Sequence, residues 1–225
     1  MLTIAFESSA KAASVALVRD GRLVAEYFQD SGLTHSRTLM KMAQDILQNC
    51  EISIRELTNV SVSNGPGSFT GIRIGLAAAK GLAWGAGLPV RAVSTLRAAA
   101  AVFQDEGVTL CPVMDARRSE VYNALFEVRD GAITRLCRDR ALPAAELAEE
   151  ARAAPSPFLL IGDGAELCRD VFCSGGVQAR LAPPATRLQS AYGVALAALD
   201  APDSDASDII PNYLRVSQAE RMFKK

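Results

Sequence analysis

The stretch that decides the fold is Asn64-Gly65-Pro66-Gly67-Ser68-Phe69-Thr70-Gly71-Ile72-Arg73-Ile74-Gly75. Residues 60–63 before it alternate apolar and polar side chains, which predicts a β-strand. The segment from Thr70 to about Gly85 predicts a helix, so the glycines make a tight turn between strand and helix. Backbone N–H groups that are free at a helix start favour anions. The turn therefore has two candidate uses, which are binding an anion and letting two pieces of backbone pack closely.

Three known phosphate or nucleophile motifs do not fit this turn. A Walker A loop needs a lysine directly after its last glycine, and no lysine follows Gly71 until Lys80. A dinucleotide fingerprint needs a third glycine where Thr70 stands. A nucleophile elbow at Ser68 needs glycines in place of Pro66 and Thr70. Close packing is therefore the favoured use, with anion binding as a compatible addition.

Small residues recur four apart along the predicted helix, at Gly71, Gly75, Ala79 and Ala83. Glycine inside a helix costs roughly 1 kcal/mol relative to alanine, so each such glycine needs a compensating gain. A ridge of this kind is typical of a helix that approaches a neighbour closely. The sequence therefore predicts a close contact along this ridge.

Composition restricts the class of protein. The chain has 225 residues, 49% of them hydrophobic, which is enough for a large core. Its formal net charge of −1 argues against a protein that binds nucleic acid on its own. Its 5 cysteines include no C-x-x-C pair, so reduced thiols are expected. No uncharged apolar run approaches the roughly 20 residues that cross a bilayer. The chain is predicted to be cytoplasmic, with no membrane association.

The two halves of the chain repeat the same order of predicted elements. Strands are predicted at 2–6, 13–18 and 23–28 in the first half and at 109–114, 121–128 and from Ile133 in the second. Each half has an Arg-Asp-Gly turn, at Arg19–Arg22 and at Arg129–Ala132, and Asp-Gly between apolar runs is a strong hairpin signal. Duplication explains this better than chance. Each half is predicted to be a three-stranded meander followed by βα units, forming a mixed sheet with helices on its faces.

An acidic residue ends the first strand of each half, Glu7 in one and Asp115 in the other. Two facing lobes would place these carboxylates on opposite sides of a cleft, where a pair of carboxylates can hold magnesium or position a water. Acidic residues at strand ends also commonly cap helices or lie solvated at turns. The single histidine, His35, cannot form a two-histidine metal site. No metal-binding residues and no catalytic residues are predicted.

Two helices show more apolar surface than one sheet can cover. The helix of residues 36–50 carries an apolar stripe that is widened by Met40 and Met42, and the helix after the glycine turn is apolar around most of its circumference. Packing into the chain's own core is one explanation. A helix-on-helix contact with a partner is the other.

An ordered set of motifs resembles the bacterial TsaB (YeaZ) family, which works in threonylcarbamoyladenosine modification of tRNA. These motifs are His35-Ser36, the stretch from Asn64 to Gly75 with Ala79–Ala83 after it, Pro112–Tyr122, Gly162–Ala165 and Pro211–Arg215. The resemblance implies an α/β fold of duplicated actin-like (ribonuclease H-like) lobes, each a mixed sheet with a β-meander and flanking helices. The expected division is 1–107 for the first lobe, 108–208 for the second, and 209–225 for a C-terminal segment with a flexible tail.

The resemblance also implies a function. The expected role is a non-catalytic dimerisation and scaffold subunit that supports TsaD, which adds threonylcarbamoyl to adenosine 37 of ANN-decoding tRNAs. TsaE, an ATPase, is an expected further partner, with tRNA contacted through the complex and a homodimer when TsaD is absent. The two metal-binding histidines of TsaD correspond here to Thr95 and Ala99, which argues against a metallopeptidase. The alternative is an actin-like small-molecule kinase or ATPase.

Two sets of site residues follow. The expected interface with TsaD comprises Leu39, Met40, Met42, Ala43, Ile46, Leu47, Arg73, Ile74, Leu76, Ala77 and Lys80. Candidate nucleotide-binding residues are Glu7, Ser8, Gly65, Gly67, Ser68, Asp115, Gly162 and Asp163. The family usually has Asp-Thr-Ser where this chain has Glu7-Ser8-Ser9, at a site that contacts phosphate in actin-like ATPases. No cofactor is required, and weak binding of ATP or ADP is left open.

Overall fold

A computed structural model of the chain describes residues 1–154 and 157–215. The first half contains β1 (Leu2–Glu7), β2 (Ala13–Arg19), β3 (Arg22–Gln29), α1 (His35–Asn49), β4 (Asn59–Gly65), α2 (Phe69–Ala86), β5 (Val90–Ser94) and α3 (Thr95–Ala100). Its strands form one sheet in the order β3-β2-β1-β4-β5. The pairs β1–β2 and β2–β3 are antiparallel, and β1–β4 and β4–β5 are parallel. A meander followed by βα units is therefore present, as the sequence predicted.

The second half contains the remaining elements. These are β6 (Thr109–Asp115), β7 (Glu120–Asn123), β8 (Phe126–Arg129), β9 (Ala132–Arg135), β10 (Arg140–Pro143), α4 (Ala144–Ala151), β11 (Phe158–Ile161), α5 (Ala165–Ser174), β12 (Ala179–Leu181), α6 (Pro184–Arg187) and α7 (Ala191–Ala197). The main strand order is β10-β7-β6-β11-β12, and β8 pairs with both β6 and β9. The duplicated mixed sheets confirm the predicted fold class.

The two halves match each other more closely than their different numbers of strands suggest. β7 and β8 pair antiparallel with successive parts of β6, so together they take the place that β2 holds beside β1. β9 and β10 pair with β8 and β7, so together they correspond to β3. Both Arg-Asp-Gly turns have positive φ at the aspartate and at the glycine, 50° and 78° at Asp20-Gly21 and 51° and 72° at Asp130-Gly131. This is the turn geometry that joins adjacent twisted strands, and the predicted hairpins are confirmed.

Helices cover both faces of the first sheet, which explains why β1 is buried along its whole length. Ile4 and Phe6 lie in one core with α1 and α2. Ala5, which points to the other face, lies in a second core with α7. A strand buried on both faces has no solvated side to carry polar residues.

The helix α7 crosses the predicted division between the lobes. Although it follows the second sheet in the chain, it packs against β1, β2 and α3 of the first half. Ser204 also pairs with Val90 of β5 as an isolated bridge. The C-terminal part of the expected second lobe, 108–208, therefore completes the core of the first. Of the expected segment 209–225, residues 216–225, including the expected flexible tail, lie outside the described residues.

Candidate functional site

The glycine turn after β4 is packed against the end of β1. The backbone N–H of Ser68 donates to the carbonyl oxygen of Ser9 at 2.7 Å. A Cβ at Gly67 would lie 2.4 Å from that same oxygen, and a Cβ at Gly71 would lie 2.1 Å from the carbonyl oxygen of Ser8. Both distances are too short for any side chain. Close backbone approach, the favoured use of the turn, therefore accounts for both glycines.

The side chains of Ser8 and Glu7 are enclosed by this contact. Ser8 is buried, its hydroxyl donates to the carbonyl oxygen of Gly71 at 2.9 Å, and that hydroxyl lies where a Cβ of Gly75 would stand. Glu7 is fully buried, and its Oε1 accepts the N–H of Ser9 at 2.6 Å and the Ser9 hydroxyl at 2.5 Å. Its Oε2 has no hydrogen-bond partner in the described chain. Burial raises the pKa of Glu7, against the lowering effect of Ser9.

These contacts change the status of the candidate nucleotide residues in the first half. Glu7 and Ser8 are buried in this structure, and their contact with a nucleotide stays a prediction. The space beside Gly65 is also filled by backbone, because a Cβ there would lie 2.3 Å from the carbonyl oxygen of Asn212. Ser68 caps α2 instead, with its side chain accepting the N–H of Gly71 at 3.2 Å. The corner is filled by the chain's own backbone.

The second half uses the same arrangement at the end of β6. Gly164 donates its N–H to the carbonyl oxygen of Val113 at 3.1 Å, and a Cβ at Gly162 would lie 2.2 Å from that oxygen. Asp163 as a whole residue is exposed, but its carboxyl group is largely buried and accepts the Gln189 side-chain amide at 3.2 Å. Desolvation of its carboxyl group raises its pKa. Asp115 is exposed and accepts the N–H of Arg117 at 2.7 Å.

The two predicted carboxylates, Glu7 and Asp115, have different neighbours. The groups that affect Glu7 are Ser9, Ser63 and His35, whereas Asp115 lies beside Asp163. The imidazole Nε2 of His35 hydrogen-bonds the carbonyl oxygen of Ala10 at 2.9 Å. In residues 1–154 and 157–215 no three His, Cys, Asp or Glu side chains are grouped as a metal site. The predicted residues of a phosphate site are present, but the side chain of Glu7 is fully buried.

Burial divides the predicted interface residues into two groups. Leu39, Met42, Ala43, Ile46 and Leu76 are buried in the core of the first half. In this structure these five side chains pack in the chain's own core, and their part in a partner contact stays a prediction. The residues that retain accessible surface are Met40, Leu47, Arg73, Ile74, Ala77 and Lys80.

One side of α2 is accessible along its whole length. We call this the outer face of α2 and define it by Arg73, Ala77, Lys80, Gly81 and Trp84, which lie about one turn apart. Trp84 is 86% exposed, the most exposed large apolar side chain in the described chain. Beside it lies a groove of about 920 Å³, lined by Leu88 and Pro89 on one side and by residues 203–207 on the other.

Glycines on the outer face have no structural explanation inside the chain. A Cβ at Gly81 or Gly85 would meet nothing within 4 Å, in contrast to Gly71 and Gly75. Each of these glycines still carries the helix cost of roughly 1 kcal/mol relative to alanine. The predicted ridge of Gly71, Gly75, Ala79 and Ala83 is buried along its whole length on the inner side of α2. Gly81 and Gly85 lie outside that ridge.

The topology is that of an actin-like fold, and comparisons with solved structures support that fold class. YeaZ from Pseudomonas aeruginosa superposes with a TM-score of 0.79 at 24% identity, over 95% of this chain and 99% of that one. The ROK hexokinase from Thermus thermophilus superposes with a TM-score of 0.51 at 13% identity, over 89% and 98% of the two chains. At these identities the likeness concerns the fold alone.

Sequence comparison gives the family. Residues 29–220 match the family model described as TsaD: tRNA N6-adenosine threonylcarbamoyltransferase. The tRNA threonylcarbamoyladenosine biosynthesis protein TsaB of Bacillus subtilis is 28% identical over 221 residues, 98% of this chain and 96% of that protein. The protein of the same name from Escherichia coli is 38% identical over 135 residues, 59% and 58% of the two chains. The chain belongs to this family, and within it to the TsaB (YeaZ) group, as the motifs indicated.

None of the helices in the described ranges, 1–154 and 157–215, is both long enough and apolar enough to cross a membrane.

Proposed function

We propose that this chain is a non-catalytic dimerisation and scaffold subunit of the bacterial complex that adds the threonylcarbamoyl group to adenosine 37 of ANN-decoding tRNAs. Its direct partner is TsaD, with which it forms a heterodimer in the cytoplasm. TsaE binds the pair, and tRNA is contacted through the complex. In the absence of TsaD the chain forms a homodimer. Its relatives named as tRNA threonylcarbamoyladenosine biosynthesis proteins support this assignment.

The observation that carries the scaffold role is the outer face of α2. It combines an almost fully exposed Trp84 with Ala77 and Gly81, small residues that allow another helix to approach closely. Neither feature stabilises the isolated chain, since an exposed Trp84 ring removes little apolar area from water and an exposed helix glycine weakens the helix. A partner helix that covers this face would compensate for both. Met40 of α1 is also exposed, at 46%, and α1 packs beside α2.

The closed corner supports the non-catalytic part of the proposal. Glu7 and Ser8 hold the glycine turn and not a ligand, and the turn's own N–H of Ser68 is bonded to Ser9. The positions that correspond to the TsaD metal histidines, Thr95 and Ala99, are buried and belong to the core between the halves. In this structure neither set of residues forms an accessible site for the transfer reaction.

Reconstitution tests the proposal. Purified TsaD, TsaE and this chain are combined with threonylcarbamoyl-adenylate and an ANN-decoding tRNA, and modified adenosine is measured by mass spectrometry of nucleosides. Omission of this chain should abolish multiple-turnover formation of the product. Full activity without it would contradict the scaffold role. Modification by this chain without TsaD would contradict the assignment as a non-enzyme.

A further inference from the structure

The C-terminal segment of residues 209–215 lies across the start of α2. The N–H of Asn212 donates to the carbonyl oxygen of Asn64 at 2.7 Å, and the side-chain amide of Asn64 donates to the carbonyl oxygen of Ile210 at 3.3 Å. Gly65 makes room for the segment, because a Cβ there would lie 2.3 Å from the carbonyl oxygen of Asn212. The segment is thus bonded to the glycine turn immediately before α2 begins.

The next residue, Tyr213, holds an arginine of the outer face. The ring of Tyr213 stacks on that of Phe69, with 4.1 Å between centroids and 18° between planes. The Nε of Arg73 donates to the Tyr213 hydroxyl at 2.8 Å. The guanidinium carbon of Arg73 lies 5.7 Å from the centroid of Tyr213 and 5.9 Å from that of Phe69. One edge of the guanidinium is therefore fixed by a hydrogen bond and by two aromatic rings.

The other edge of Arg73 is open. Arg73 is an exposed residue with no ion-pair partner in the described part of the chain, and α2 contains no acidic residue. The terminal nitrogens of a guanidinium present donors in a planar fork that matches a carboxylate. Lys80, the second cation of α2, donates to the carbonyl oxygen of Ser207, shortly before the C-terminal segment, at 3.3 Å. Residues after α7 thus contact both positive charges of the outer face.

We propose that Tyr213 is a positioning residue that holds Arg73 as a preformed binding fork for a carboxylate of the partner subunit. This inference rests on the function proposed above, because the fork lies on the face assigned to TsaD. A free arginine side chain loses much conformational freedom when it binds, and an arginine that is already fixed loses less. Charge complementarity identifies the group on the partner as an aspartate or glutamate side chain.

Calorimetric titration of TsaD with four variants tests this inference. The variants are Arg73→Ala, Tyr213→Phe, the double variant, and Tyr192→Phe as a matched control that removes a different tyrosine hydroxyl, the one bonded to Gly21. Arg73→Ala should raise the Kd by about tenfold or more, the usual loss for a hydrogen bond to a charged group. Tyr213→Phe keeps the stacked ring, so a smaller increase, roughly three- to tenfold, is expected. Tyr192→Phe should leave the Kd unchanged.

The two effects should be coupled and dependent on salt. The double variant should bind no more weakly than Arg73→Ala alone, because Tyr213 acts through Arg73. The increase in Kd with ionic strength should be smaller for Arg73→Ala than for the wild-type chain, because one ion pair is missing. Thermal unfolding midpoints of the single variants should stay close to that of the wild type.

Other results would overturn the inference. Fully additive effects of the two substitutions on the Kd would show that Tyr213 does not work through Arg73. An unchanged Kd for Arg73→Ala would show that Arg73 does not bind the partner. If Met40→Asp disrupts the complex while both single variants bind normally, this inference fails and the proposed function stands. If the wild-type chain does not bind TsaD, the proposed function fails and this inference fails with it.

Discussion

Ser8 and Gly71 are in direct backbone contact, and this contact joins the first strand to the second helix. The Ser8 hydroxyl donates to the carbonyl oxygen of Gly71 at 2.9 Å, and the Ser8 carbonyl oxygen lies 2.1 Å from the position that a Cβ of Gly71 would take. Only glycine leaves that space. The same contact accounts for both the close packing of α2 on β1 and the burial of Ser8.

Gly71→Ala should therefore destabilise the chain severely. The added methyl group would collide with backbone and not with the end of a flexible side chain, so the strand or the helix must move. We expect a loss of about 3 kcal/mol or more in the free energy of unfolding, at the upper end of the range for overpacking. Urea unfolding followed by circular dichroism measures it.

Gly81→Ala is the matched control, since it lies on the same helix with no atom within 4 Å of the added Cβ. It should raise the free energy of unfolding by up to about 1 kcal/mol, through helix propensity alone. Equal losses for the two variants would contradict the contact between Ser8 and Gly71. The alanine at residue 81 should also weaken binding to TsaD, because it occupies space on the outer face.

Glu7→Gln should change how stability depends on pH. The pKa of Glu7 is raised above its ordinary value of 4.5 by burial. Its contribution to the free energy of unfolding is therefore fully present below pH 4.5 and is lost as the pH rises through the raised pKa. The glutamine variant has no charge to desolvate. Its free energy of unfolding relative to the wild type should rise with pH across that window and stay constant above it.

Urea unfolding at a series of pH values measures this difference. Glu51→Gln, at an exposed position, controls for the loss of one negative charge. Parallel pH profiles for wild type and Glu7→Gln would show that the protonation of Glu7 is not coupled to folding.

Met40→Asp should disrupt the complex with TsaD without unfolding the chain. Met40 is 46% exposed, so a carboxylate there remains hydrated in the free protein and would be buried only in the complex. Leu136→Asp is the control, since Leu136 is 48% exposed but belongs to the second half. Sedimentation velocity of mixtures with TsaD should show free components for the first variant and a complex for the second. Association unchanged by Met40→Asp would contradict the assignment of α1 to the interface.

Titration with Mg-ATP separates the scaffold from the alternative of a small-molecule kinase or ATPase. Because Glu7 and Ser8 are buried beneath the glycine turn, no micromolar binding is expected and Asp115→Asn should change nothing. Micromolar binding with turnover that Asp115→Asn abolishes would favour the kinase or ATPase.

Local signals in the sequence were enough for the repeated architecture. Asp20-Gly21 and Asp130-Gly131 specify their hairpins because a two-residue turn with positive φ needs these residue types. The glycines at 71 and 75 indicated a close contact because their cost to the helix demanded one. The closed corner could have been inferred from the same glycines, although the residue that fills it, Ser8, is more than 60 positions away in the chain.

The interface could be predicted only in part. An apolar stripe such as Leu39, Ala43 and Ile46 shows that a helix has a buried side, but it does not say whether the chain's own sheet or a partner covers it. Here the chain's own core covers all three. The contact between Tyr213 and Arg73 could not be predicted from the sequence, because the two residues are 140 positions apart and no periodic pattern relates them.

The position of α7 has a consequence for synthesis on the ribosome. Ala5 and Ala16 of the first sheet are covered by α7, which begins at Ala191. About 90 residues separate the end of α3 from α7. At bacterial translation rates their synthesis takes roughly 5 to 18 seconds, and one apolar face of the first sheet stays uncovered for that time. During that interval the nascent chain is a natural client for a chaperone. The first half acquires its native stability only after α7 has been synthesised.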